Sequence, residues 1–270
     1  MTKPDRETVV SPSKTTLMRL ARRARGGLIS VSEAAALLNL GRRETAMLLA
    51  RLERRGWLKR ARRSLYLILP IESASGESVT VEDPWILARA LFSPCYIGGW
   101  SAAEHWGLTE QIFRSILVVT GAHIRERRQR ILNTEFHLIR VAKPDLEGTT
   151  QVWRGREQIT VSNRERTIAD ALKSPDWVGG MRHLTEILMT YCQSPERNLE
   201  KVLWYLTRMK SGAGIKRFGF LIETLQPGET TLIEGALMRR TTGLVKLDPR
   251  VKTKGKLNKR WGLWINTTIK

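Results

Sequence analysis

Residues 32–69, SEAAALLNLGRRETAMLLARLERRGWLKRARRSLYLIL, decide how the chain is read. Ser32 is placed to cap a helix, its hydroxyl accepting from free N–H groups of the first turn, and Ala34 to Leu38 supply the helix formers. Asn39-Leu40-Gly41 is a short turn of residues tolerant of left-handed dihedrals. A further helix is predicted over residues 42–55, ending at Gly56. Helix, tight turn, helix is the result.

Within that last helix, Thr45, Leu48, Leu49 and Leu52 form an inward stripe at helical spacing. The opposite face then carries Arg43, Met47, Ala50 and Arg54, with Arg42 and Arg51 adding to the same basic set. Arginine meets phosphates or guanine edges, while Ala50 and Met47 permit close approach and contact with thymine methyls. After Gly56, residues 57–59 and 65–69 read as two strands, with Arg60, Ala61, Arg62, Arg63 and Ser64 exposed at the tip between them. A basic hairpin beside a recognition helix is the wing of a winged helix, holding a neighbouring phosphate or minor groove.

Working outward, Met1 to Ser13 read as a polar lead-in, and residues 14–25 as a helix with Leu17, Leu20, Ala21 and Ala24 on one face. Glu72 to Ser78 read as a linker. The expected division is a winged helix-turn-helix DNA-binding domain over residues 1–80 and a larger mixed α+β domain over residues 81–270. In the second, Asp83-Pro84-Trp85 opens a helix to Phe92, and Ser101 caps a short helix over 102–106. Strands are predicted at 115–120, 135–140, 149–153, 158–161 and 261–266, and helices at 164–172, 180–193 and 199–210. Runs of strand and then of helix place the chain in the α+β class.

The 270 residues hold 46 Lys and Arg against 26 Asp and Glu, a formal net charge of +20, and 41% are hydrophobic. The apolar share suffices for a packed core, and the charge favours polyanionic partners, whose counterions are released on binding. Nine basic and two acidic residues lie between Arg42 and Arg63, and ten basic and one acidic between Arg239 and Lys270. The second run, with Lys252, Lys254, Lys256, Lys259 and Arg260, is either a solvated loop before the last strand or a second nucleic-acid patch. Cys95 and Cys192 match no ligand spacing, so no metal site or disulfide framework is expected and a reducing cytoplasm fits. The sequence shows neither a long apolar run nor a secretory signal, so no membrane association is expected.

Several short motifs follow in order: Ser101-Ala102-Ala103-Glu104-His105-Trp106-Gly107-Leu108-Thr109, then Arg164-Glu165-Arg166-Thr167-Ile168-Ala169-Asp170, then Arg217-Phe218-Gly219, and last Arg260-Trp261-Gly262-Leu263-Trp264-Ile265-Asn266. With the N-terminal winged helix, this series resembles the AbiEi family, the antitoxin components of AbiE-type (type IV) toxin-antitoxin systems. The wing departs from the family pattern in having Ser64-Leu65-Tyr66 where a glycine is expected before the aromatic residue, and Arg164 stands where proline is common. The resemblance implies a cytoplasmic regulator that represses its own operon by binding inverted repeats in double-stranded operator DNA. It also implies that the chain counteracts a nucleotidyltransferase-like toxin without a stable complex.

No catalytic constellation, cofactor or metal site emerges from the remaining residues, and the chain is not expected to be an enzyme. Glu165, Arg166, Thr167 and Asp170 read as capping and salt-bridge partners that fix a helix on the sheet. His105 has no second histidine at metal spacing, and His123, His137 and His183 are equally isolated. Ser211-Gly212-Ala213-Gly214-Ile215-Lys216 lacks the spacing and the Ser or Thr after Lys of a phosphate loop, and reads as a turn between helices. Most of the nine tryptophans are expected in the core. The competing readings are a nucleic-acid-modifying enzyme with an unrecognised site and a protein-binding neutraliser of a toxin.

Overall fold

The computed structural model describes residues 12–69, 83–142 and 146–269. They form two compact units: one comprises the described residues up to Leu87 with Arg130–Thr134 and Trp153–Glu157, and the other Ala88–Gln129, Glu135–Val152 and the chain from Gln158 onward. The lead-in before Pro12 and the expected linker Glu72 to Ser78 lie outside the described residues.

In the first unit the order is α1 (Pro12–Arg23), β1 (Leu28–Ser30), α2 (Val31–Leu38), α3 (Arg42–Arg54), β2 (Leu58–Arg62) and β3 (Leu65–Ile68). The strands make an antiparallel sheet in the order β1-β3-β2. One apolar cluster holds these elements together, with Leu17 and Leu20 from α1, Ile29 from β1, Ala34 from α2, Leu49 and Leu52 from α3, and Leu58 and Tyr66 from the hairpin. This is the winged helix expected from the periodicity, completed by β1, a strand the sequence pattern did not announce.

The cap of α2 corrects the reading of Ser32. Ser30 is the N-cap, and its hydroxyl accepts from Glu33 N at 3.2 Å while Glu33 Oε2 accepts from Ser30 N at 2.9 Å. That reciprocal box needs Ser at the cap and Glu at the third helical position, a spacing Ser30 satisfies and Ser32 does not. Partial burial alone would raise the Glu33 carboxyl, but the bonds from Ser30 and the nearby Arg25 and Arg23 hold it below the usual carboxylate value. Its contribution is therefore present above the ordinary carboxylate pKa and fades as pH falls through the lowered one.

The second unit opens with the end of α4 (Pro84–Phe92), followed by β4 (Cys95–Ile97), α5 (Gly99–His105), β5 (Ser115–Thr120), β6 (Arg128–Ile131), β7 (Thr134–Arg140), β8 (Thr149–Arg154) and β9 (Glu157–Ser162). These strands form a six-stranded mixed sheet, β6-β7-β5-β4-β9-β8, in which β4 runs antiparallel to β5 and parallel to β9. Ser101 caps nothing: α5 starts two residues before it at Gly99, and the buried Ser101 hydroxyl instead accepts from Leu117 N at 3.0 Å, tying α5 to β5.

A helical layer follows: α6 (Arg164–Lys173), a 3-10 turn (Pro175–Val178), α7 (Met181–Gln193), α8 (Leu199–Arg208), α9 (Gly212–Leu225) and α10 (Thr230–Arg239). A small sheet, β10 (Val245–Lys246), β12 (Leu263–Ile265) and β11 (Lys256–Asn258), ends the chain. The segment 211–216, expected as a turn, is instead the start of α9, with the Ser211 hydroxyl accepting from Gly214 N at 3.1 Å. Its glycines answer to packing rather than to turning. A Cβ on Gly219 would lie 2.1 Å from the ring of the buried Trp261.

α6 is the hub of this layer, buried at every residue from Glu165 to Leu172. Asn163 caps it through Arg166 N at 2.8 Å. Arg166 bonds Asp170 at 2.9 Å, Asp170 accepts from Tyr96 at 2.9 Å, and Glu165 accepts from Tyr191 at 2.9 Å and pairs with Lys201 at 3.2 Å. With the Thr167 hydroxyl donating to Asn163 O at 2.8 Å, each side chain of the Glu165-Arg166-Thr167-Asp170 set has a partner, as burial requires.

Replacing Ser30 with Ala is expected to lower the stability of the first unit by about 0.5–2 kcal/mol. Ser32→Ala should cost less, because among the described residues the Ser32 hydroxyl meets only that of Ser30, at 3.0 Å. Urea unfolding of the two variants checks this; equal losses would contradict the assignment of the cap.

Candidate nucleic-acid interface

The turn before α3 is closed by Asn39, which takes a left-handed φ of 54° and caps α2 through its N–H to Ala35 O. Gly41 then starts α3 and offers no side-chain cap, which leaves first-turn amides for solvent or a bound anion. Its carbonyl accepts from both the N–H and the hydroxyl of Thr45, each at 2.9 Å, so Thr45 is bound inward.

With Thr45, Leu49 and Leu52 buried and Leu48 half-buried, the rotation of α3 is fixed. The sequence-predicted residues fall accordingly: Arg42, Arg43, Arg51 and Arg54 are exposed, Met47 is 56% exposed, and Ala50 is half-buried. A large thioether held in water between arginines is costly for a lone surface and useful for one that meets a groove.

The chain leaves α3 through Gly56, at a φ of 77°, and Trp57 N returns to Leu52 O at 3.1 Å. β2 therefore begins directly beneath the helix. The expected tip of residues 60–64 is smaller than the pattern suggested: Arg60, Ala61 and Arg62 belong to β2, and only Arg63 and Ser64 make the turn. The pairing shifts between Arg60 opposite Tyr66 and Arg62 opposite Leu65, a bulge at Ala61 that lengthens this strand. Ser64 adopts a φ of 66°, the conformation glycine usually supplies, and its carbonyl accepts from Val31 N at 3.0 Å. The wing closes without glycine because that bond anchors its turn to the start of α2.

Arg60, Arg62 and Arg63 are all exposed on this hairpin. Lys59 is exposed on the same strand and joins them; its only signal in the sequence was its place in the basic run. The first unit thus brings together the outward face of α3 and the wing, both rich in guanidinium groups suited to bidentate phosphate contact.

The C-terminal basic residues are placed elsewhere, in the second unit around β11 and β12. Lys252, Lys254, Lys256 and Lys259 are exposed. Lys254 Nζ lies 5.6 Å from the Trp264 ring, and Arg260 pairs with Glu223 at 2.8 Å. His183 is buried, its ring nitrogens 2.7 Å from the Thr109 hydroxyl and 2.5 Å from Val178 O. Among the described residues no group of three or more His, Cys, Asp or Glu is arranged to hold a metal ion, and no helix is long and apolar enough to cross a membrane.

The whole fold is similar to the crystal structure of the RV2827C protein from Mycobacterium tuberculosis, with a TM-score of 0.62 and 18% sequence identity over 94% of each chain. At that identity the likeness is one of fold. No curated protein matches the chain. Residues 16–68 match the family model described as "Transcriptional regulator, AbiEi antitoxin", a span that runs from within α1 to the end of β3. Over this winged-helix region, the chain is similar to the AbiEi antitoxin transcriptional regulators.

Proposed function

We propose that the chain is a DNA-binding repressor of its own operon and an antitoxin of the type IV, AbiE kind, with no catalytic activity of its own. The observation that carries this reading is the basic outward face of α3 beside an arginine-bearing wing, within the residues that match the family. α3 enters the major groove, Arg43 and Arg54 reach base edges or flanking phosphates, and Met47 and Ala50 lie against the bases. Arg60, Arg62 and Arg63 hold the neighbouring backbone. The target is double-stranded operator DNA carrying inverted repeats, and the site of action is the cytoplasm.

The second reading within this proposal is a division of labour: residues 1–80 bind DNA, and residues 81–270 counteract a nucleotidyltransferase-like toxin without forming a stable complex with it. What supports it is the size of the second unit. Its own sheet, helical layer and core exceed what a repressor needs as an anchor.

Arg43→Ala is expected to weaken operator binding by about 1–3 kcal/mol and to relax preference at one position of the site. Fluorescence anisotropy on operator and random duplexes checks this, and equal losses on both would reduce Arg43 to a phosphate contact.

The triple variant Arg60→Ala, Arg62→Ala, Arg63→Ala should bind every duplex less tightly. Its salt dependence should be shallower by roughly 0.9 in log–log slope for each phosphate it no longer neutralises. An unchanged slope would remove the wing from the interface.

The full-length Arg43→Ala chain should still protect cells from the toxin when expressed from an unrelated promoter. Loss of protection in step with loss of operator binding would contradict the division of labour.

A further inference from the structure

Helices α8 and α10 of the second unit leave an open groove of about 500 Å³ between them, apolar over most of its lining. Its floor is formed by Leu203 and Leu232, both buried, while Trp204 and Met238 stand in water at 48% and 81% exposure. Exposed tryptophan and methionine lining one groove, the Trp204 ring with the Arg208 guanidinium 5.6 Å from its centre, are the composition of a contact surface, not of a solvated one.

The two helices run in the same direction. Arg197, just ahead of α8, pairs at 3.1 Å with Glu229, just ahead of α10, and halfway along a Leu203 methyl lies beside Gly235. Glu200, in the first turn of α8, therefore sits at one end of the groove. The backbone of Arg239, in the last turn of α10, is about 10 Å further along the axes at a rise of 1.5 Å per residue, and its guanidinium reaches back one turn to donate to Gly235 O at 2.8 Å. Both are exposed, and the described residues offer neither an ion-pair partner.

Gly235 points the same way. Glycine inside a helix weakens it, and here no packing demands one. A Cβ at this position would meet only Leu203 at 3.7 Å and the Arg239 guanidinium at 3.4 Å. Its missing side chain leaves the middle of the groove shallowly filled, with only the mobile end of Arg239 lying over it, bonded to Gly235 O at 2.8 Å.

We propose that this groove is the contact face of a homodimer, in which two copies dock antiparallel about a two-fold axis. Trp204 and Met238 of each copy enter the groove of the other over Gly235, and Glu200 of each meets Arg239 of the partner subunit. A two-fold interface requires one patch to carry both halves of every contact. This patch does: it has projecting side chains and a recess, and an acid and a base at opposite ends. It is also locally neutral, which matters for a chain of net charge +20 whose copies repel one another elsewhere.

Self-association through this groove does not depend on DNA binding and is tested without DNA. Sedimentation velocity of the full chain from about 1 to about 200 µM, a range that covers weak to moderate self-association, is expected to show a reversible monomer–dimer equilibrium. Gly235→Leu, which fills the recess, and Trp204→Ala, which removes the projection, should each weaken the dimer at least about tenfold with thermal unfolding unchanged. Glu200→Arg should weaken it, and adding Arg239→Glu to that variant should restore it. A wild-type chain that remains monomeric throughout, or a dimer indifferent to Gly235→Leu and to the charge reversal, would overturn the proposal.

Discussion

A guanidinium enclosed by backbone carbonyls sets the architecture of the second unit. Arg217, 4% exposed in α9, donates from Nε to Leu247 O at 2.9 Å, from Nη2 to Lys246 O at 3.0 Å, and from Nη1 to Leu172 O at 3.0 Å and Lys173 O at 3.2 Å. Burial pushes its pKa down to about 10, with Asp248 and Asp176 opposing, so it stays charged at neutral pH. A buried cation is tolerated only where its donors are satisfied, and these acceptors include the last carbonyls of α6, where the helix dipole is negative. One side chain thereby clamps the end of α6 and strand β10 to α9.

The other end of α6 is held by different chemistry. Asn163 caps its first turn, Arg166 and Tyr96 close on Asp170, and the Tyr191 hydroxyl donates to Glu165 while accepting from Asn198 N at 2.6 Å. Asp170 is 2% exposed, and this burial raises its carboxyl's pKa in spite of the arginine and tyrosine bonded to it. Tyr191 and Asn198 also fix where α8 begins, since Asn198 is its cap. The groove between α8 and α10 is thus a consequence of a polar network anchored on α6, together with the helices packed around Phe218, Leu221 and Leu232.

Charge also holds structure within the second unit. There Arg217 faces inward to carbonyls, and other arginines pair with carboxylates, as Arg164 does with Glu196 at 2.7 Å and Arg197 with Glu229 at 3.1 Å. In the first, the core is apolar and the arginines of α3 and the wing are turned to solvent. A guanidinium used inside holds structure, whereas those on the outward face of α3 and on the wing stand where a partner can reach them.

From the sequence alone came the helix-turn-helix, the wing, their basic faces and the α+β class, because each rests on signals a few residues apart: helical spacing of Thr45, Leu49 and Leu52, the turn Asn39-Leu40-Gly41, and the stop at Gly56. The placement of Arg43, Met47 and Arg54 on one face followed from the same periodicity. Where two local signals competed, as Ser30 and Ser32 did for one cap, only the folded geometry chose between them. Where the cause is distant, the sequence was silent. Gly212 and Gly214 of α9 read as a turn because side chains they accommodate, Thr241 and Leu206, come from other segments. Ser64 can occupy a glycine's conformation because Val31 binds its carbonyl, and α10 and β4 are short segments whose apolar residues find their complement only across the core. Local propensity and periodicity act within a turn of helix or a strand, whereas close packing and the satisfaction of buried polar groups act between segments, and tertiary structure alone brings those together.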